Sequence, residues 1–242
     1  MITMHHNIFG GRYNVISPYL ANLIAYYKLD SNSNDFSDNS HNGIDTNVSY
    51  ANAGKVGNSA TYNGTTAKTL IPQSTDFDFS DVTADISFSV TMGVYFSGSG
   101  NAVLMCKYFN SGSGQWVIQS IGNQMFFYLQ TNGSNYIYKI TTAALSTGIW
   151  YHLGFTYDGS ATTAGLKIYV NGTLATVTPV SAGTYTKMAI TSNPVGLGVD
   201  STGALNFFNG RIDETYVWKN RVIDATEMAD AHTKFNAGQT LI

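Results

Sequence analysis

Between Asp30 and Asn42 the run DSNSNDFSDNSHN places Asp30, Asn34, Asp35, Asp38, Asn39 and Asn42 within thirteen positions. Oxygen-bearing side chains at that density suit a hard cation such as calcium, which gathers roughly six to eight oxygen ligands. The same residues also build solvated Asx turns, so composition leaves both readings open. A second pair of acids, Asp213-Glu214, stands inside the aromatic run LNFFNGRIDETYVWKNR (205–221). Carboxylates within a strand are costly unless something compensates their charge, and the adjacency of these two predicts that they point to opposite faces.

A third group is aromatic. Trp116, Phe126, Tyr128, Tyr136 and Tyr138 fall on consecutive strand-like segments and adjoin Gln119, Gln130, Asn132 and Asn135. Sugars present apolar C–H faces that stack on rings and hydroxyls that suit amides, so these five are candidate ligand-binding residues; half of them are expected in the core, which for any single ring is the better reading. For catalysis the sequence offers little. His-Glu-x-x-His, a phosphate loop and a Gly-x-Ser-x-Gly elbow are absent, and His41, His152 and His232 have no evident acid or nucleophile partner. His5-His6 reads as an incidental surface pair.

These residues need a scaffold, and the hydrophobic pattern supplies a β one. Leu23 to Leu29 reads as a strand that runs directly into the Asx-rich loop. In ISFSVTMGVYF (86–96) the residues Ile86, Phe88, Val90, Met92, Val94 and Phe96 occupy every second position, giving a long strand with one apolar face. AVLMCKY (102–108), QWVIQSI (115–121) and QMFFYLQ (124–130) follow, joined by short Gly/Asn connections that imply antiparallel hairpins. IWYHLGFTYD (149–158) alternates again, and LKIYVNGTLATV predicts a hairpin turning at Asn171-Gly172. One helix is predicted over 224–235, with Asp224 as cap, Glu227 completing a capping box, and Met228, His232 and Phe235 on one face. Residues 1–22 show no period and read as an arm or docking segment; a single β domain is expected over 23–242.

Only 11% of the 242 residues are charged, the net charge is −3, and Gly (24), Tyr (16) and Phe (13) are abundant. Scattered Lys and Arg exclude the basic stripe of a nucleic-acid binder. No stretch is long and apolar enough for a membrane-spanning helix. The start MITMHHNIFGGRYNVISPYL lacks the pattern of a secretory signal. Cys106 is the one cysteine, and its apolar setting predicts a buried filler.

Four stretches, in order, carry a resemblance: AYYKLDSNSNDFSDNSHNG (25–43), GKVGNSATYNG (54–64), IWYHLGFTYDG with LKIYVNG (149–172), and NGRIDETYVWKNRVIDATEM (209–228). Together they resemble the LamG-like jellyroll domain of the concanavalin A-like lectin/glucanase superfamily. That likeness implies an all-β, two-sheet antiparallel jellyroll sandwich with one short C-terminal helix and with its first and last strands side by side. It also implies a structural Ca2+ between Asp30 and Asp213, helped by carbonyls near Gly54 to Gly57, with Asn34 and Asp35 as weaker ligands; otherwise Asp213 pairs with Arg211 or Arg221. The Glu-x-Asp-x-x-Glu strand of the fold's glucanases and the Arg-x-Glu-x-Arg strand of its alginate lyases are absent, so no enzyme is expected. AYYKLDSNSNDFSDNS and GIDTNVSYANAGKVGNSATYNG also look like tailed-phage virion proteins of this kind. The resemblance therefore implies a lectin-like decoration or adhesion protein on a capsid or tail, held to other virion proteins through residues 1–22, displayed in several copies and binding cell-surface polysaccharide. A secreted bacterial carbohydrate-binding module, extracellular, is the alternative, and a glycoside hydrolase a distant one.

Overall fold

The computed structural model describes residues 17–108 and 114–242. In chain order its strands are β1 (Leu23–Tyr27), β2 (Ile44–Thr46), β3 (Ser49–Ala53), β4 (Asn58–Asn63), β5 (Lys68–Ile71), β6 (Phe88–Phe96), β7 (Ala102–Tyr108) and β8 (Gly114–Ile121). They continue as β9 (Gln124–Asn132), β10 (Asn135–Thr141), β11 (Trp150–Tyr157), β12 (Leu166–Val170), β13 (Thr173–Leu174), β14 (Val177–Ala182), β15 (Val195–Leu197) and β16 (Asn209–Lys219), followed by helix α1 (Ala225–Asn236). The first sheet runs β13-β12-β11-β6-β16-β4-β3, with β1 also on β16; the second runs β14-β10-β9-β8-β7-β15-β5-β2. Every pairing is antiparallel, and the two sheets enclose one aromatic and aliphatic core.

Local chemistry accounts for the hairpins. Asn171 and Gly172 both have positive φ (52° and 76°), as do Gly122 and Asn123 (56° and 63°), the backbone that two-residue turns matched to strand twist require. In β6 both faces are buried, not one. Phe88, Val90, Met92, Val94 and Phe96 enter the core, and the opposite face lies partly beneath α1.

Helix α1 begins with the expected capping box, since Asp224 accepts from the Glu227 amide while the Glu227 side chain accepts from the Asp224 amide. It lies across the first sheet where side chains are missing. A Cβ on Gly93 would come within 2.4 Å of the Phe235 ring, and one on Gly154 within 2.3 Å of the Met228 sulfur. Glycine in β6 and β11 thus makes the seat for the helix. Around it Tyr19, Tyr26, Tyr169, Tyr216, Trp218, Ile223, Met228 and Leu241 form a second apolar cluster.

Of the arm expected over 1–22, residues 1–16 lie outside the described residues. From Ser17 onward the segment packs on the domain itself: Tyr19 is buried, its carbonyl accepts from Trp218 Nε1 at 2.7 Å, and Ser17 Oγ donates to the Leu241 carbonyl.

Gly93→Ala should destabilise the domain by about 1–3 kcal/mol, the usual cost of an overpacked contact, and Phe235→Leu should recover part of that loss. Urea unfolding of both variants, with Gly100→Ala as the neutral control because its Cβ would meet nothing within 4 Å, measures the effect.

Candidate binding groove and cation site

Alternation along β7 to β10 sorts side chains into core and outer face. Phe127 and Leu129 point inward with Trp116 and Ile118, while Val117, Gln119, Phe126, Tyr128, Tyr136 and Tyr138 take the outer face of the second sheet. Cross-strand register fixes the array: Tyr138 stands opposite Tyr128, Tyr128 opposite Val117, and Val117 opposite Cys106, with Phe126 opposite Gln119. With Tyr108 and Ile121 these residues line a shallow groove of about 410 Å³. Among the described residues no charged side chain lines it.

The rings are packed against one another. Phe126 and Tyr128 lie 5.6 Å apart at 16°, Tyr136 and Tyr138 6.0 Å apart at 22°, and Phe126 and Tyr138 only 4.5 Å apart. Tyr128 donates to Gln130 Oε1 at 2.7 Å. Burial first, and then the neighbouring phenols of Tyr108, Tyr136 and Tyr138, push its own phenol well above the usual range, so it stays a neutral donor. Tyr136 and Tyr138 are half-buried, and their hydroxyls have no protein partner among the described residues.

Trp116 does not belong to this surface. It is 0% exposed, packs on Phe79 and Phe88, and donates Nε1 to the Phe77 carbonyl at 3.2 Å. Its separation of one from Val117 places it on the inward side. Tyr108, Val117 and Ile121 were not singled out from the sequence, although the same parity would have put Val117 and Ile121 beside Gln119.

The acids gather elsewhere. Along one edge β16 pairs first with β4, over Asn209–Ile212, and then with β1, over Thr215–Trp218. Asp213 and Glu214 occupy the junction, where the pairing with β6 also slips by a bulge between Asp213 and Tyr216. Glu214 adopts φ +44° there. The bulge breaks the alternation expected of adjacent residues, so the two acids do not simply face apart. Glu214 accepts from Tyr26 and Tyr216, at 2.9 and 2.5 Å, while Asp213 approaches the Gly93 floor beneath Phe235.

Asp213 Oδ2 accepts the amides of Lys55 (2.7 Å) and Val56 (3.0 Å), and Asp30 Oδ1 accepts that of Asn58 (2.8 Å). The 54–58 loop thus ties both carboxylates to one place. A Cβ on Gly57, whose φ is +62°, would fall 2.1 Å from Asp30 Oδ1, and one on Gly54 2.6 Å from Asp213 Oδ2; only glycine lets the acids come this close. Asp213 Oδ1 is buried without a hydrogen-bond partner among the described residues. Burial first, then Glu214 and Asp30, raise the Asp213 carboxyl to about 8 against the pull of the two amides, and burial raises Glu214 to about 7.

Neither arginine neutralises Asp213. Arg211 donates to the Ala53 carbonyl and Arg221 to Glu227, Pro18 and Ala21. Asp35 is spent inside the loop, where its oxygens accept from the amides of Tyr26, Ser37 and His41 and from Ser37 Oγ. Asn34 is exposed and its amide donates to Asn32 Oδ1. Among the described residues no three His, Cys, Asp or Glu side chains form a ready-made metal group, so a cation here would draw on two carboxylates and backbone carbonyls. His41 does have an acid partner, Asp76 at 2.8 Å, but among the described residues no nucleophile is hydrogen-bonded to its ring. His152 faces His232 and Phe235 beneath α1.

A family model described as the concanavalin A-like lectin/glucanases superfamily, Laminin_G_3, matches residues 63–229. Among curated proteins none matches in sequence. Of solved structures, domain 4 of AbnA, a GH43 extracellular arabinanase from Geobacillus stearothermophilus solved with arabinotriose, is 20% identical with a TM-score of 0.64, over 86% of this chain and 97% of that one. The binding domain of Paraclostridial Mosquitocidal Protein 1 gives 16% and 0.66 over 88% of this chain. A botulinum neurotoxin type C structure, described as showing cell entry dependent on two ganglioside molecules, gives 16% and 0.65 over 91%. The chain spans 52% of each of these two toxin chains. At such identities the likeness is one of fold.

In chelator, the raised Asp213 carboxyl fixes the sign of a pH effect. The folded state holds this proton up to about 8 whereas the unfolded chain releases it near 4, so its contribution to stability is full below about pH 4 and is lost as pH rises toward 8. Asp213→Asn removes that loss and keeps an oxygen for the two amides. Its stability relative to the parent should therefore grow by about 3–4 kcal/mol between pH 5 and pH 8 in metal-free urea titrations; a constant difference would contradict the assignment.

Proposed function

The chain belongs to the Laminin_G_3 family of the concanavalin A-like lectin/glucanase superfamily, and we propose that it is a non-catalytic glycan-binding domain whose site is the tyrosine groove on the second sheet. The observation that carries this reading is the uncharged, phenol-rich lining formed by Tyr108, Tyr128, Tyr136, Tyr138, Phe126 and Gln119. Aromatic rings receive the C–H faces of a sugar, and free phenols and an amide exchange hydrogen bonds with its hydroxyls. Hydrolysis of a glycosidic bond generally needs a pair of carboxyl groups flanking it, and among the described residues the lining contains none. What the related structures bind, arabinotriose and gangliosides, supports a sugar as the ligand class.

We propose further that Ca2+ binds between Asp30 and Asp213, with carbonyls of the 54–57 loop completing its shell. The orphaned Asp213 Oδ1 and the glycine cradle support this, because an unpaired buried carboxylate is expensive and a cation would compensate it. The ion would supply charge compensation and hold the opening and closing strands together; Asp35, saturated by the loop, is left out. As setting we propose display in several copies on a bacteriophage capsid or tail, attached through residues 1–22. This rests on the likeness of residues 25–40 and 43–64 to tailed-phage proteins, and an exported bacterial adhesion module is the competing context. Proteomics of purified virions separates the two.

Tyr138→Ala should weaken binding of a recognised oligosaccharide by at least about tenfold, or 1.4 kcal/mol, without lowering the melting temperature as Trp116→Ala would. A glycan array followed by calorimetry, with arabinotriose as the first probe and product analysis alongside, tests this; released sugar would overturn the non-catalytic reading. Calcium at about one hundred times its Kd should add about 2.7 kcal/mol of stability, and Asp213→Asn should abolish the gain in a calcium-dependent melting series.

A further inference from the structure

On the opposite side of the sandwich one rung of the first sheet reads Arg211, Tyr95, Trp150 across β16, β6 and β11. The guanidinium carbon lies 3.8 Å from the centre of the Tyr95 ring and 5.3 Å from that of Trp150, and the two rings are 5.6 Å apart at 57°. All three side chains are half-buried, and Ile149 beside them is 51% exposed. Nη1 of Arg211 donates to the Ala53 carbonyl at 2.9 Å, which steadies the group against the β3 end.

Arg211 differs in one respect from the other described arginine. Arg221 is satisfied by Glu227 and by two carbonyls. Among the described residues no carboxylate pairs with Arg211, and Asp213, two residues along, is turned to the Lys55 and Val56 amides. Stacking occupies the flat face of a guanidinium and leaves its N–H rim free, and that rim matches a carboxylate in bidentate geometry. A cation held by rings, with donors to spare and an indole at its side, is prepared for an anion joined to an apolar ring face.

We infer that Arg211, Tyr95 and Trp150 form a second ligand site, separate from the tyrosine groove, that takes the carboxylate of an acidic sugar such as a uronate. Arg211 grips the carboxylate and Trp150 receives the sugar ring. A ladder that only staples the sheet would need the same stacking, but it would show no preference for charge in a soluble ligand.

Trp150 reports on the site directly, because Trp116 and Trp218, the two other tryptophans, are 0% exposed. Trigalacturonate should change tryptophan emission saturably. Its methyl ester, which keeps the sugar and removes the charge, should bind at least about tenfold more weakly, as should Arg211→Gln. Arg211→Lys should retain partial binding, and it stands in if the glutamine variant does not fold. Tyr138→Ala, in the groove, should leave the response unchanged. Equal response to acid and ester, no saturable response to trigalacturonate, loss of response in Tyr138→Ala, or tighter binding of an acidic peptide such as triglutamate would each overturn the inference.

Discussion

The closing strand β16 has to satisfy three partners at once, and the constraint this places on residues 213–215 governs the rest of the structure. Along one edge it pairs continuously with β6; along the other it serves β4 and then β1. Two strands cannot meet end to end on a third without a change of register, and the bulge with Glu214 at φ +44° makes that change. The conformation is unfavourable for a residue with a side chain, and the acids at the junction are buried. Tyr26 and Tyr216, stacked at 4.1 Å, donate to Glu214, and the amides of the glycine loop donate to Asp213. These bonds lessen the cost of burial but leave Asp213 Oδ1 unmatched. Native structures rarely leave a buried oxygen without a partner, so this junction is where the proposed Ca2+ would act; without it, the raised Asp213 carboxyl keeps its proton.

The same arrangement divides the labour between the two outer faces. On the first sheet, Gly93 and Gly154 lower the surface so that α1 can settle, and residues from Ser17 to Leu20 close beside it through Tyr19 and Trp218. That face is largely used up in holding the chain ends together. Among the described residues the groove on the second sheet has no such cover. Its rings stack on one another; Tyr128 is buried while Phe126, Tyr136 and Tyr138 remain half-buried, which lowers the cost of showing aromatic surface to water while keeping it available. A groove fixed on four adjacent strands is also rigid before any ligand arrives, so less ordering entropy is lost on binding.

Much of this was legible in residue order, for identifiable reasons. Strand positions, the Asn171-Gly172 turn and the capped helix follow from local patterns that tertiary packing did not oppose, whereas the neighbouring first and last strands were implied by the family resemblance alone. Parity explains the groove: Phe126 with Tyr128, and Tyr136 with Tyr138, are two apart and share a face. It also explains Trp116, which is an odd three positions from Gln119 and so lies in the core. The bulge was not legible, because nothing in a Glu residue announces a positive φ that only the β4-to-β1 handover imposes. Nor was the Asp35 role, since four hydrogen bonds within a loop use the same oxygens a metal would. The His41 to Asp76 pair joins loops 35 residues apart in sequence and has no local signature.

Charge scarcity gives the surviving charges their meaning. With 12 Lys and Arg against 15 Asp and Glu in 242 residues, an ion that is buried or stacked without a partner is not lost among many. Lys107 shows the ordinary solution: it is fully buried, and Asp78 at 2.5 Å, itself held by Gln115, compensates it. Asp213 and Arg211 lack that solution although they stand two residues apart on one strand. Pairing them would satisfy both, yet the amides of Lys55 and Val56 hold the carboxylate while the Tyr95 ring and the Ala53 carbonyl hold the guanidinium. Both proposed sites rest on this separation, the Ca2+ site on Asp213 and the acidic-sugar site on Arg211. The proposed groove on the far sheet, lined without any charge among the described residues, would instead discriminate by ring faces and hydroxyl positions, so the two sides of the domain would answer to different features of a ligand.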